Sequence, residues 1–305
     1  MSVTRIAIVT SDAGIEYDVD LPLIVDALRA DGLTVETVLW DAPAAAWERF
    51  DLAVIRSTWD YVERLDDFLV WADTTGVRTR LWNPAPVIRW NSDKHYLRAL
   101  AQREVAVVPT RFLEPGTQFT PADFTQADGV VVKPSVSAGA LDTARYEPGR
   151  HEDAARHAQM LLNQGRSVMV QPYLPRVAEG ERALIFIGGG FSHAIRKDPL
   201  LTEPGVIDND RVPHLGVAPY QPTKEEIRTA LAALAAIPSP KAPLFARVDL
   251  VLNNIGEPVV LELELIEPNL FLQSSMEGLR HFVDAVTARA GASAGCPQLG
   301  LDGFC

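Results

Sequence analysis

The chain has 305 residues and a formal net charge of -12, with 47% hydrophobic and 22% charged residues. That length and composition suit a folded globular protein of two or three subdomains rather than a disordered chain. The acidic balance argues against a broad nucleic-acid surface, no window is apolar for long enough to span a membrane, and the start MSVTRIAIVTS has no signal-peptide layout. A cytoplasmic location is the default expectation, with homo-oligomerisation left open.

Arg5 to Val9 reads as a buried strand, Leu21 to Ala30 as a helix stopped at Asp31-Gly32, Val35 to Trp40 and Leu52 to Ile55 as strands, and Leu65 to Ala72 as a helix. This order predicts a small open α/β domain over residues 1–90, closed by Asn83-Pro84-Ala85-Pro86. Ligands of such sheets sit beyond the strand carboxyl ends. There the chain carries Arg56-Ser57-Thr58-Trp59-Asp60-Tyr61, a set able to hold a small polar molecule, or a plain strand-to-helix loop with Thr58 or Asp60 as N-cap.

Asn91-Ser92-Asp93-Lys94 is expected to open a helix running to about Glu104, with Asn91 or Ser92 as its cap and Lys94 in its first turn. A lysine there is unfavourable unless an anion lies between it and the free N–H groups, although a solvated lysine is the plainer reading. Gly129 to Pro134 is an apolar strand ending in Lys133, followed by the small-residue run Ser135 to Ala140. Backbone N–H groups of such a run can wrap phosphate oxygens. It lacks the spacing of a Walker or dinucleotide motif, so an ordinary loop competes.

Asp153 to Asn163 is an amphipathic helix. Val168 to Pro175 is a strand whose two prolines should end the ladder and leave a hinge. Glu181 to Ile187 and Phe191 to Arg196 make a hairpin around Gly188-Gly189-Gly190, and its end brings Arg196 and Lys197 together. Asp198 to Pro219 is a long polar loop. Lys224 to Ala236 is a helix with Leu231, Leu234 and Ile237 inside, and Gly278 to Ala290 is another. The last residues, 291–305, read as a frayed tail holding the only cysteines, Cys296 and Cys305, which support neither a metal motif nor a disulfide framework. Trp40, Trp47 and Trp82 read as core or rim aromatics.

The densest signal is Phe245 to Asn269, two alternating runs around Asn253-Asn254-Ile255-Gly256-Glu257. Arg247 and Asp249 share one face of the first run, Glu262 and Glu264 one face of the second, with Leu261, Leu263 and Leu265 opposed. Pairing Asn253 with Pro258 sets Asp249 opposite Glu262 and Arg247 opposite Glu264, with opposed Cβ atoms roughly 5 Å apart. Three converging carboxylates repel one another. A divalent cation bearing phosphates relieves this, and so does a solvated face with charges paired across it.

Taken in order, these pieces resemble the ATP-grasp ligases over about residues 91–289, behind a preceding α/β domain. The Arg247-Val248-Asp249 and Glu262-Leu263-Glu264 pair resembles the prokaryotic glutathione synthetase-like branch, where asparagine is common at the place of Glu264. The resemblance implies an α/β (α+β) ATP-grasp fold, with residues 91–175 and 176–290 as two lobes that hold ATP between them. It implies ATP and Mg²⁺, two ions, with Lys94, Lys133, Ser135, Ser137 and Gly139 on the phosphates. Gln171, Tyr173 and Leu174 would line the adenine slot and Glu181 bind the ribose. Asp249, Glu262 and Glu264 would hold metal, with Asn269 a weaker candidate. Arg247 and Lys133 would be catalytic in phosphoryl transfer to a carboxylate.

Arg56 to Tyr61, Val132 to Gly139 and Glu262 to Pro268 resemble more narrowly the subgroup containing the cyclo-ligases that close O-ureido-D-serine to D-cycloserine. That implies a small amino acid substrate, near which Arg56, Ser57, Asp60, Arg196, Glu267 and Asn269 are expected. An intermolecular amino acid ligase, a small-molecule kinase, and an ATP-binding module without chemistry remain alternatives, the last disfavoured by the intact carboxylate set.

Overall fold

The computed structural model describes residues 4–43, 45–209 and 216–291. The tail cysteines lie outside these residues, as does part of the Asp198 to Pro219 loop. Strands β1 (Arg5–Thr10), β2 (Thr34–Leu39), β3 (Leu52–Ser57) and β4 (Arg80–Trp82) form a parallel sheet in the order β2-β1-β3-β4. β3 is buried at every position, as a central parallel strand covered on both faces must be. Helices α1 (Asp12–Tyr17), α2 (Asp20–Ala30) and α3 (Leu65–Arg78) accompany it, and α2 is followed by Gly32 at φ +85°, as its sequence predicts.

Two further helices, α4 (Ala85–Asn91) and α5 (Tyr96–Gln102), lead to a second, antiparallel sheet. It comprises β5 (Arg111–Leu113), β6 (Val130–Pro134), β7 (Ala144–Tyr146) and β8 (Val168–Pro172), ordered β5-β8-β6-β7 and backed by α6 (His151–Asn163). The third sheet is β11-β10-β9-β12-β13, from β9 (Glu181–Ile187), β10 (Gly190–Lys197), β11 (Val217–Pro219), β12 (Phe245–Leu252) and β13 (Pro258–Glu264). Helices α7 (Lys224–Ala235) and α8 (Met276–Gly291) pack on it.

The first and third sheets share one core, in which Ile6, Ile8 and Leu28 meet Ile185, Phe245 and Phe282. Backbone-directed side chains stitch the same junction. Asn83 bonds Phe245 O, Leu265 O and Leu244 N, and Asn91 bonds Leu263 O and Leu265 N. Among the described residues no helix is long and apolar enough to cross a membrane.

Several expectations change. The helix expected to start at Asn91 is two helices, because the Asn91 side chain is spent on β13. A new start forms where Asp93 Oδ1 accepts the His95 N–H at 3.0 Å. Lys94 therefore sits in the turn between helices, not in a first helical turn. Pro172 stays in the β8 ladder opposite Val130, since proline lacks only the donor. Residues 217–219 return as the edge strand β11. On α7 the inner face is Glu226, Ala230 and Ala233, while Leu231 points to solvent. Trp40 and Trp47 are core residues, joined by Trp71 and Phe68.

Candidate functional site

A cavity of about 940 Å³ is lined by both antiparallel sheets and by residues of the N-terminal unit. One end is apolar. Val108, Leu174, Val177, Val251 and Leu261 cluster there, and Gln171, which also lines the cavity, donates to Thr110 Oγ1 at 2.8 Å. The other end is charged and is built by β12 and β13. Arg247 faces Glu264 and Asp249 faces Glu262, as the alternation of the sequence demands. The expected turn closure is off by one: Leu252, not Asn253, pairs with Pro258, and a bulge between Asp249 and Leu250 absorbs the difference. Leu261 falls at that bulge and lines the cavity, against its expected place on the opposite face.

The carboxylates and cations interlock. Arg247 Nε and Nη2 lie 2.9 and 3.0 Å from Asp249, and Nη2 also contacts Glu264. Lys197 Nζ lies 2.6 Å from Asp249 and 3.1 Å from Glu181. Lys94 Nζ lies 3.1 Å from Glu262 and donates to Ser137 O at 2.6 Å. Burial alone would raise Asp249, but Arg247 and Lys197 outweigh it and hold the carboxyl well below the usual carboxylate range. Glu262 is also lowered, burial being overcome by Lys94 and Lys133. Lys133 itself is lowered, chiefly by burial. Glu264 goes the other way, pushed up to about 7 by burial and by Glu262 and Asp249, despite Arg247. Glu267 is pushed up to about 8 by burial and by Glu264.

That imbalance is the test of a metal. Among the described residues no three His, Cys, Asp or Glu side chains close into a finished cage. The acidic side chains facing the cavity nevertheless offer only oxygen, and burial together with neighbouring carboxylates pushes Glu264 and Glu267 up to about 7 and about 8. A hard divalent cation fits such a donor set, whereas a soft metal has no sulfur or imidazole to bind there. Asp249, Glu262 and Glu264 are the residues that would hold it.

Of the other expected site residues, Tyr173, Leu174, Glu181, Ser137, Gly139, Glu267 and Asn269 line the cavity. Gly139 and Ala140 have φ of 61 and 62°, so the small-residue loop turns sharply over it. Ser135 does not line it: its N–H and C=O are spent on Ser167 O and Lys94 N, both at 2.9 Å, and it faces a neighbouring cavity of about 510 Å³.

Arg56, Ser57, Asp60 and Arg196 lie elsewhere. Arg56 is fully buried, 3.1 Å from both Asp18 and Asp20, and bonds Pro268 O. Ser57 bonds Thr10 Oγ1 at 2.8 Å. Asp60 takes Trp40 Nε1 at 2.9 Å and Arg64 at 2.8 Å. Arg196 alternates to the exposed face of β10, and Lys197 points in. Lys197 was missed because a register shift between Phe191 and His193 pairs it, rather than Arg196, with Glu181. From the Arg56 to Tyr61 stretch the cavity receives Trp59 and Tyr61 instead, joined by Tyr17 of the unforeseen helix α1.

A strap from the β10–β11 connection crosses the cavity. Leu200, Leu201 and Asn209 line it. Asn209 and Asp142 exchange bonds of 2.8 and 2.9 Å, and Gly205 N donates to Arg145 O at 2.7 Å. The strap of the third sheet is thereby fastened to the loop of the second.

Comparison with known proteins matches residues 6–83 to the N-terminal domain of D-cycloserine synthetase DcsG. The cycloserine biosynthesis protein DcsG of Streptomyces lavendulae is 37% identical over 296 residues, 93% of this chain and 98% of that one. The crystal structure of D-cycloserine synthetase DcsG superposes with a TM-score of 0.88 at 35% identity, covering 94% of this chain and 99% of that one. The D-alanine–D-alanine ligase of Bacillus anthracis complexed with ATP shares the fold at 14% identity, with a TM-score of 0.68 over 95% of this chain and 99% of that one. By its extent of identity the chain belongs to the DcsG family of D-cycloserine synthetases, ligases of the ATP-grasp fold.

Proposed function

We propose that the chain is an ATP- and Mg²⁺-dependent ligase that activates a carboxylate as an acyl phosphate and closes O-ureido-D-serine to D-cycloserine. The observation that carries this reading is the polarity of the cavity. An apolar slot at one end meets four buried cations and three carboxylates at the other, in a chain of this family.

In this reading residues 91–175 and 176–290 are the two lobes around ATP. The adenine lies in the slot by Gln171, Tyr173 and Leu174, and the ribose by Glu181. Lys94 and Lys133 hold phosphate oxygens, and the loop with Ser137 and Gly139 covers them. Two Mg²⁺ ions on Asp249, Glu262 and Glu264 would neutralise the phosphate charge and orient the transferred group. Arg247 and Lys197, both already against Asp249, spread further positive charge over that group.

A substrate carboxylate oxygen attacks the γ-phosphorus and ADP leaves. The oxygen-bound nitrogen of the ureido group then attacks the acyl carbon, the C–O bond to phosphate breaks, and the ring is closed. One water removes the carbamoyl group as carbon dioxide and ammonia. The strap and loop that meet over the cavity exclude water from the acyl phosphate.

Incubation with ATP, Mg²⁺ and O-ureido-D-serine should give cycloserine by mass spectrometry, with one ADP for each ring. ADP release only after a second amine is supplied would replace ring closure by intermolecular ligation. Nucleotide binding with no ADP under any substrate would leave a binding module.

A further inference from the structure

Around the cavity, Glu181, Asp249, Glu262 and Glu264 each have a cationic side chain within salt-bridge distance. Among the described residues Glu267 has no such partner, although it lines the same cavity. Neutral groups hold it instead. The Tyr61 side chain lines the same cavity, and Trp59 Nε1 donates to the Glu267 carbonyl oxygen at 3.2 Å. The next residues are pinned from below, because buried Arg56 bonds Pro268 O and lies 3.5 Å from Asn269 Oδ1. Glu267 is thus a cavity-lining carboxylate without a salt-bridge partner, with the Trp59 indole against its backbone.

We propose that Glu267, beside Trp59, is the subsite for the substrate's α-ammonium group, and so selects an α-amino acid over a plain carboxylic acid. The proposal rests on the ligase reading above. A carboxylate with aromatic faces beside it matches an organic ammonium, which gains from the hydrogen bond and from ring quadrupoles together. A further metal ion suits it poorly, since its indole and phenol neighbours offer at best a neutral oxygen while Glu262 and Glu264 offer charged ones. The position also fits the chemistry. Glu267 follows directly after the strand that carries Glu264, so an ammonium held there leaves the α-carboxylate of the same molecule toward Arg247 and the phosphates.

The test compares O-ureido-D-serine with its des-amino analogue, 3-(ureidooxy)propanoate, in the wild type and in Glu267→Gln. The substitution should raise KM for the amino acid by about 10- to 100-fold, the loss of a charge-assisted bond. It should leave the analogue's ADP release, the ATP affinity and the Mg²⁺ requirement unchanged, and Glu267→Asp should recover part of the loss. An equal loss on both substrates overturns the subsite, and so does a shifted Mg²⁺ requirement. Cycloserine made by the wild type but unaffected in Glu267→Gln overturns the subsite alone, whereas no cycloserine from the wild type overturns the ring-closure reading with it.

Discussion

The hairpin β12–β13 and the Arg56 to Tyr61 stretch look alike in composition, yet they treat their charges oppositely. The hairpin delivers Arg247, Asp249, Glu262 and Glu264 to the cavity. The other stretch turns its charges away, Arg56 into a fully buried cluster with Asp18 and Asp20 and Asp60 toward Trp40 and Arg64, and shows the cavity only rings. In paired strands, direction follows from alternation and register. β3 is buried on both faces, so alternation does not single out a face for Arg56, which takes the carboxylates the core supplies.

The largest expected break between the regions is in turnover. Glu262→Gln should lower Mg²⁺-dependent ADP release by roughly a thousandfold with little change in unfolding temperature, because its charge serves the reaction. A stable variant with unchanged turnover removes the metal assignment.

Arg56→Ala reverses that pattern. It leaves Asp18 and Asp20 buried without their cation, a cost of about 3–5 kcal/mol, measurable by urea unfolding. Full stability together with a raised substrate KM would return Arg56 to the substrate.

The third test separates the regions by pH. Glu264 and Glu267 titrate at about 7 and about 8 in the folded state, from an ordinary 4.5. Between those values the folded state holds more protons than the unfolded one, so stability without metal falls as pH rises from about 4.5 to 8. The fall should show as a lower unfolding midpoint at about pH 8 than at about pH 5. Mg²⁺ and ATP, which favour the ionised carboxyls, should remove it. A flat profile without metal would show that the cavity carboxyls are not strained.

The smallest effect is expected for Arg196→Ala. Its side chain lies on the exposed face of β10, so kcat/KM should change less than about twofold, in line with ordinary surface substitutions. A tenfold loss would place it at the site after all.

Much of the fold was legible. Buried runs at β1 and β3, the glycine stop after α2 and the helix from Lys224 are local signals, and the structure keeps them. The Arg247–Glu264 register was legible too, although the turn and the bulge that produce it were not, because each shifts the pairing by one and the two cancel. Less legible was whatever depends on distant partners. Asn91 looks like a helix cap from its neighbours, but β13 claims its amide. The strap over the cavity has no periodic pattern, and its bonds to Asp142 and Arg145 are long-range contacts that no local signal foretells. Charged residues where a strand runs out were the poorest guide, as Arg56 at the end of β3 and Asp60 beyond it show.

The shared core has a consequence for how this molecule could be taken apart. Ile6, Ile8 and Leu28 are packed directly on Ile185, Phe245 and Phe282, and Arg56 reaches from the first sheet to the segment that carries Glu267. The N-terminal sheet is therefore not a detachable module hung before the rest of the chain. Exchanging it for the corresponding piece of a relative should expose apolar surface on α8 and release the segment that carries Glu267. Transplanting specificity within this family requires moving both sides of that seam together.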